Sequence, residues 1–256
     1  MTTDQPLILA VETTTSKCSV ALMQGERLLS QQTITAQRRH NEILPGMVGQ
    51  LFKWNDSSQA RRLDCLSHKD IELVAVSIGP GSFTGLRVGL SYAKGFAIAV
   101  NAPVIPVETL SALAHQLSLQ FCNNSETIFC PLIVARKGEA FGQLFAMTDS
   151  RIEPITEPFF GGAEQIIAES EAVKHGDMTA GRGICFAGEG ADMLYDQLSG
   201  HLTDGSRIIK NIEACAIPVG MLGLERWIHS KGDVMPLREI EPLYLKEFTI
   251  KNRRSS

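Results

Sequence analysis

Between Leu73 and Ala97 the chain reads LVAVSIGPGSFTGLRVGLSYAKGFA, an order of residues that few backbone paths can satisfy. An apolar run leads into Gly79-Pro80-Gly81, and helical periodicity begins at once behind it. The spacing predicts a buried strand, a glycine turn and a helix over 82–99. Glycine supplies backbone angles closed to other residues, and Pro80 fixes its own φ between the two. The first amides of the helix have no intrahelical acceptor, which suits an anion. Gly79, Gly81 and Ser82 are therefore candidate phosphate ligands. Gly85, Gly89, Ala93 and Ala97 recur every four residues and make one smooth helical side, where another backbone can approach closely. A phosphate cradle, a docking surface and a simple tight joint all remain open on these residues alone.

Composition narrows the classes. The chain has 256 residues, 24 Lys and Arg against 28 Asp and Glu, and a formal net charge of −4. A protein that gripped nucleic acid alone would show a basic excess. Arg38-Arg39, Arg61-Arg62 and Lys251–Arg254 are the only basic clusters, so any tRNA contact is expected to run mainly through another subunit. No apolar run reaches the roughly 18 residues of a membrane span, and Met1–Pro6 lacks the pattern of a signal peptide. Six scattered cysteines without a C-x-x-C pair read as apolar fillers in a reducing compartment. A cytoplasmic protein without membrane contact is the expectation.

Leu7–Val11 reads as a central strand, followed by alternation at Cys18, Val20 and Leu22 and a third strand near Leu28–Ile34. A helix over 40–54 carries rows Ile43/Met47/Leu51 and Leu44/Val48/Phe52, with Pro45 placed in or near its first turn. Past the glycine segment come a strand at 104–107 and a helix at 110–119. The second half repeats the plan: strands at 132–135, 140–147 and 152–155, a helix near 163–171, then Ile184–Gly190 opening a helix at 191–198. An amphipathic helix from Glu213 to about Lys231 follows. Two copies of one strand–helix order predict a duplicated α/β fold with lobes over 1–105 and 106–256, the last helix returning to the first lobe.

The glycine loop is not a Walker A loop, because Gly85-Leu86-Arg87 stands where Gly-Lys-Ser/Thr is needed. It is not a dinucleotide fingerprint either, since the glycines fall as G-x-G-x-x-x-G. Glu12, Thr13 and Thr14 follow the first strand, where a carboxylate and hydroxyls can serve metal and phosphate; a polar strand end is the plainer reading. Six histidines without H-x-x-x-H or H-E-x-x-H spacing argue against a metal site. No G-x-S-x-G is present, and Ser82 has no assignable base. His40 opens its helix and either packs locally or meets a partner.

Several stretches resemble the TsaB (YeaZ) family of the glycoprotease-like superfamily: Ile8–Thr15, Cys18–Leu22, His40–Pro45, the block Ser77–Gly95, Pro103–Val107, Ala135–Glu139 and Pro242–Leu245. The resemblance implies a duplicated RNase H-like two-lobe fold of the actin/Hsp70/sugar-kinase (ASKHA) type. It implies a subunit of the machinery forming N6-threonylcarbamoyladenosine at position 37 of tRNAs that read codons starting with A. The catalytic partner would be a TsaD-type paralogue, joined by a TsaE-type ATPase, with tRNA reached through the complex and no catalytic residues here. The chain itself would need no cofactor, ATP or ADP residing on the partner or at the interface. Pairing would use the helices over 40–54 and 82–99, making His40, Ile43, Leu44, Met47, Leu51, Gly85, Leu86, Gly89 and Ala93 the candidate interface. The same surface would support a homodimer in isolation. On that view Gly89→Leu should abolish pairing and spare the fold.

By the same resemblance, Thr109 and Leu113 stand where the paralogue has two metal-binding histidines, and neither can replace an imidazole. Glu12 replaces the usual aspartate and Val134 the aspartate of an Asp-Ala-Arg. Both departures favour a partner over an enzyme. The alternative is a nucleotide-dependent transferase or kinase of the same fold, using Glu12, Thr13 and the Gly79–Gly85 amides. A peptidase would need a metal pair or a nucleophile with a base, and the sequence offers neither.

Overall fold

The computed structural model describes residues 5–36, 39–53, 66–121, 127–148, 151–174, 181–202 and 205–245. Strand β1 (Leu7–Glu12) is buried throughout, and its side chains alternate between two cores. Strands β2 (Lys17–Gln24) and β3 (Arg27–Thr35) extend from it as an antiparallel meander. Strands β4 (Leu73–Gly79) and β5 (Val104–Glu108) lie parallel to β1, which gives the order β3-β2-β1-β4-β5. Parallel neighbours need crossovers. Helices α1 (His40–Leu51) and α2 (Phe83–Val100) lie in them and cover one face of the sheet.

The second sheet repeats this order with interruptions. Strand β6 (Thr127–Arg136) pairs with β7 (Glu139–Gly142) through residues 132–136 and with β8 (Phe145–Thr148) through Ile128 and Phe129. The single strand expected at 140–147 is thus broken at Gln143–Leu144. Thr156 stitches the break: its Oγ1 accepts from the Leu144 amide (3.0 Å) and its carbonyl from Gln143 Nε2 (2.8 Å). The third strand is split likewise, into β9 (Arg151–Pro154) against β8 and β10 (Phe159–Gly161) against β7. Parallel strands β11 (Gly183–Ala187) and β12 (Arg207–Ile209) complete the sheet. The chain therefore has the duplicated, RNase H-like two-lobe fold.

Helices α3 (Thr109–Phe121) and α7 (Ala216–His229) are exchanged between the sheets. Leu110, Leu113, Ala114 and Leu117 of α3 pack on Phe129, Ile133 and Phe145 of the second sheet. Ala216, Val219 and Leu224 of α7 pack on Ile8, Ala10, Met23 and Ala75 of the first. Gly220 and Gly223 permit the approach, since a Cβ there would lie 2.5 Å from Met23 Sδ and from Ala75 Cβ respectively. Helix α4 (Ala163–Lys174) and the short α5 (Glu189–Met193) and α6 (Tyr195–Ser199) cover the other face of the second sheet.

Several boundaries differ from expectation. Helix α1 ends at Leu51 rather than 54, because Lys53 N turns back to Gln50 O (3.0 Å). Pro45 sits inside that helix, beyond its first turn, on the exposed side. Helix α2 runs over 83–100, with Ser82 as its cap. Helix α7 starts at Ala216 because Cys215 is extended. The helix expected over 191–198 begins at Glu189 and is interrupted at Leu194. Among the described residues four cysteines are present, all free; Cys65 and Cys122 lie outside them. So do Arg38, Arg61-Arg62 and the 251–254 cluster.

Candidate functional site

At the end of β1, Glu12 is fully buried, with Thr13, Thr14 and Thr15 buried behind it. Glu12 Oε1 accepts from the Thr14 amide and hydroxyl, each at 2.5 Å. Its Oε2 has no hydrogen-bond partner among the described residues, and the nearby Ser77 hydroxyl donates to the Val11 carbonyl instead (3.2 Å). Burial pushes the Glu12 carboxyl above its ordinary pKa near 4.5, the neighbouring Ser77 hydroxyl and the Thr14 donors oppose the rise, and the charge of Glu189 adds to it. A carboxyl bridged on one oxygen and enclosed on the other does not fit a Mg²⁺ site.

The turn into α2 is closed on its inner side, while Ser82, Phe83 and Thr84 stay exposed. Ser82 N donates to Thr14 O (2.7 Å), Ser82 Oγ accepts from the Gly85 amide (3.3 Å), and Thr13 Oγ1 donates to Gly85 O (2.8 Å). A Cβ at Gly81 would lie 2.4 Å from Thr14 O, at Gly85 2.0 Å from Thr13 O, and at Gly89 2.2 Å from Thr13 Oγ1. Gly79 takes φ 119° and would place a Cβ 2.7 Å from Leu243 O. The candidate phosphate residues Glu12, Thr13, Thr14, Gly79, Gly81 and Ser82 thus come together at one joint, whose inner side is filled by the Thr13 and Thr14 carbonyls. The neighbouring backbone that the small-residue side was expected to meet is Thr13–Thr14. A leucine at Gly89 would collide inside the chain, so Gly89→Leu tests the fold and not pairing.

The second lobe closes in the same manner. Gly188, at φ 105°, would put a Cβ 2.4 Å from Leu132 O, and Gly190 would meet the Leu132 carbonyl carbon at 2.9 Å. Ser16 Oγ donates to Glu189 Oε1 (2.6 Å), tying the two strand ends together. Thr109 and Leu113 are both buried, Thr109 Oγ1 without a partner among the described residues. No group of three or more His, Cys, Asp or Glu among the described residues could hold a metal ion.

Of the nine candidate interface residues, Leu44, Met47, Leu51 and Ala93 are buried in the core under α1 and α2, and Ile43 packs against that core. Leu86, Gly85 and Gly89 are buried too. His40 is buried with its Nε2 3.1 Å from Lys17 O, a local anchor for the start of α1. What the two helices present outward is a groove of about 520 Å³ lined by Asn41, Leu44, Pro45, Arg87, Val88, Ser91 and Tyr92. Only Leu44 of the expected set lines it. The missed signal was the complementary periodicity on α2: Arg87/Ser91 and Val88/Tyr92 sit four apart, beside the glycine row.

The family model described as "TsaD: tRNA N6-adenosine threonylcarbamoyltransferase" matches residues 27–231. A tRNA threonylcarbamoyladenosine biosynthesis protein TsaB of Haemophilus influenzae is 30% identical over 162 residues, 59% of this chain and 64% of that protein. The Escherichia coli protein of the same name is 33% identical over 134 residues, 52% of each chain. The matched stretches thus span between half and two-thirds of these relatives. A crystal structure of a Pseudomonas aeruginosa protein described by similarity to peptidase YEAZ superposes with a TM-score of 0.73 at 22% identity, covering 94% of this chain and all of that one. That likeness shows the same fold. The chain belongs to the TsaD family of that model, and within it to the TsaB/YeaZ line that its own motifs resemble.

Proposed function

We propose that the chain is the non-catalytic, dimerising subunit of the machinery that forms N6-threonylcarbamoyladenosine at position 37 of tRNAs reading codons that start with A. The observation that carries this is the division of α2: its small-residue side is used up on Thr13–Thr14, while its other side forms an open groove with α1. A TsaD-type paralogue is the partner for that groove, through a pair of matching helices. The enclosed Glu12 carboxyl and the Thr109/Leu113 pair support chemistry on the partner, where ATP or ADP would reside. A TsaE-type ATPase completes the assembly in the cytoplasm, and without its partners the same groove would join two copies of this chain. The rival reading, a transferase or kinase working in this chain's own cleft, would have to do so with Glu12 enclosed and the Ser82 amide already given to Thr14 O.

The test is co-elution of this chain with a TsaD-type subunit, together with adenosine modification in a reconstituted mixture, read by mass spectrometry. Ser91→Arg, on the exposed face of α2, is expected to abolish co-elution and product while leaving the melting temperature unchanged. Unaltered co-elution would remove the groove from the interface. Product or ATP turnover from this chain alone would make it the enzyme.

A further inference from the structure

A cleft of about 900 Å³ lies between the start of α2 and the β6–β7 end of the second sheet, and nothing above assigns it a role. We infer that this cleft is a stacking site for an unpaired RNA base, held between the Phe83/Tyr244 and Phe141/Phe160 ring pairs; the inference rests on the tRNA-modifying role proposed above.

The lining is aromatic from both lobes. Phe83 and Tyr244 face each other at 5.4 Å between centroids, and Phe141 and Phe160 do the same at 5.4 Å. Phe83 and Tyr244 remain 38% and 42% exposed, unusual for large rings with a core available to them. They are nonetheless fixed in place. The Arg87 guanidinium lies 3.9 Å from the Phe83 centroid, and its Nε donates to the Tyr244 hydroxyl (3.1 Å). The Leu243 amide donates to Ile78 O (2.7 Å), which anchors the segment carrying Tyr244. Exposed, pre-positioned rings beside guanidinium groups are what single-stranded RNA recognition uses, because every base offers a π-face and every linkage a phosphate.

The rest of the molecule decides between a base in RNA and a free nucleotide. A di- or triphosphate needs a cradle of amides or a metal; here the Ser82 amide is already given to Thr14 O, the inner sides of both glycine turns meet Thr14 O and Leu132 O, and Glu12 is enclosed. What the cleft does offer is stacking area plus Arg136, set 5.9 Å from the Phe160 centroid and oriented by Glu139 at 2.5 Å. That complement matches one base with one phosphodiester. The cleft volume falls within the roughly 300–1,000 Å³ of small-ligand sites. A duplex, whose bases are already stacked, has nothing to insert.

The experiment is fluorescence anisotropy of 5′-labelled octaadenylate titrated with the full chain, with unlabelled octaadenylate, duplex RNA and ADP as competitors. Tyr244→Ala and Phe83→Ala are each expected to weaken binding about 5- to 100-fold, the range of one lost base stack. Tyr244→Phe, which keeps the ring, should bind as the parent does. Duplex RNA and ADP should compete poorly. An unchanged affinity in both alanine variants, no binding by the parent chain, or tighter binding of ADP than of the octamer would overturn the inference. The outcome is separable from the function proposed above. Octamer binding that ignores the rings, in a chain still required for adenosine modification, defeats the cleft alone.

Discussion

The two lobes meet the same problem, a parallel strand that must turn into a helix, and solve it with different lengths of helix. In the first, β4 passes through Gly79–Gly81 into the 18 residues of α2, capped by Ser82. In the second, β11 passes through Gly188 into the five residues of α5, with no side-chain cap. Both turns seal against backbone of their own lobe, at Thr13–Thr14 just past β1 or at Leu132 within β6. The first lobe alone then has enough helix left over to offer a second side to solvent. A duplicated fold can therefore keep one joint chemistry and still reserve surface for partners in a single copy.

The sharpest break of that comparison is alanine in each joint. Gly85→Ala sets a Cβ 2.0 Å from a backbone carbonyl, so the turn must part, and a loss of about 3 kcal/mol is expected. Gly190→Ala meets the Leu132 carbonyl carbon and Ala140 Cβ, each at 2.9 Å, and should lose about 1–2 kcal/mol. Urea melts of the two variants give the ranking directly; equal losses would erase the difference between the joints.

Glu12, buried at the end of β1, sharpens the comparison next. Unfolded, it releases its proton near pH 4.5; folded, burial holds the proton to higher pH. The stability carried by the neutral form is complete below that value and is lost as pH rises toward the folded pKa, about 1.4 kcal/mol for each pH unit that separates the folded from the unfolded pKa. Glu12→Gln should remove that loss, so the gap in stability between variant and parent widens from pH 4.5 upward and is flat in acid. Parallel curves would show that Glu12 titrates as an exposed carboxyl does. The smallest effect belongs to Gly95, exposed on α2 with open space where a Cβ would go. Gly95→Ala should raise stability by about 1 kcal/mol through helix propensity alone, read as a shift in the urea midpoint. A loss there would mean that the outer side of α2 already packs on something.

Much of this architecture is legible in the sequence because periodicity reports burial. Leu7–Val11 announces a strand covered on both faces, and Gly79–Gly81 announces its turn. Spacing also shows that Gly85, Gly89 and Ala93 form a smooth side of a helix. It does not say whose backbone lies against that side, because Thr13 is some seventy positions away and its approach depends on how β1 and β4 pair. Strand β12 escaped notice because Arg207–Ile209 is too short for alternation to register. The break at Gln143–Leu144 is hidden for another reason: the residue that repairs it, Thr156, carries no local signal. The groove residues Val88, Ser91 and Tyr92 were overshadowed by the more conspicuous glycines beside them.

The exchange of α3 and α7 sets an order on synthesis. While a ribosome is still delivering the second lobe, Ile8, Ala10, Met23 and Ala75 lack most of the cover on their side of the first sheet, where only Ala112 of α3 precedes α7 among the buried helix residues. That cover is Val219 and Leu224, with Gly220 and Gly223 letting the helix descend onto the strands. The first half can pair its strands early, yet it cannot dry its own underside until Ala216–His229 has emerged. Of the helices among the described residues, α7 is the last to be made, and it is the one that finishes the first sheet.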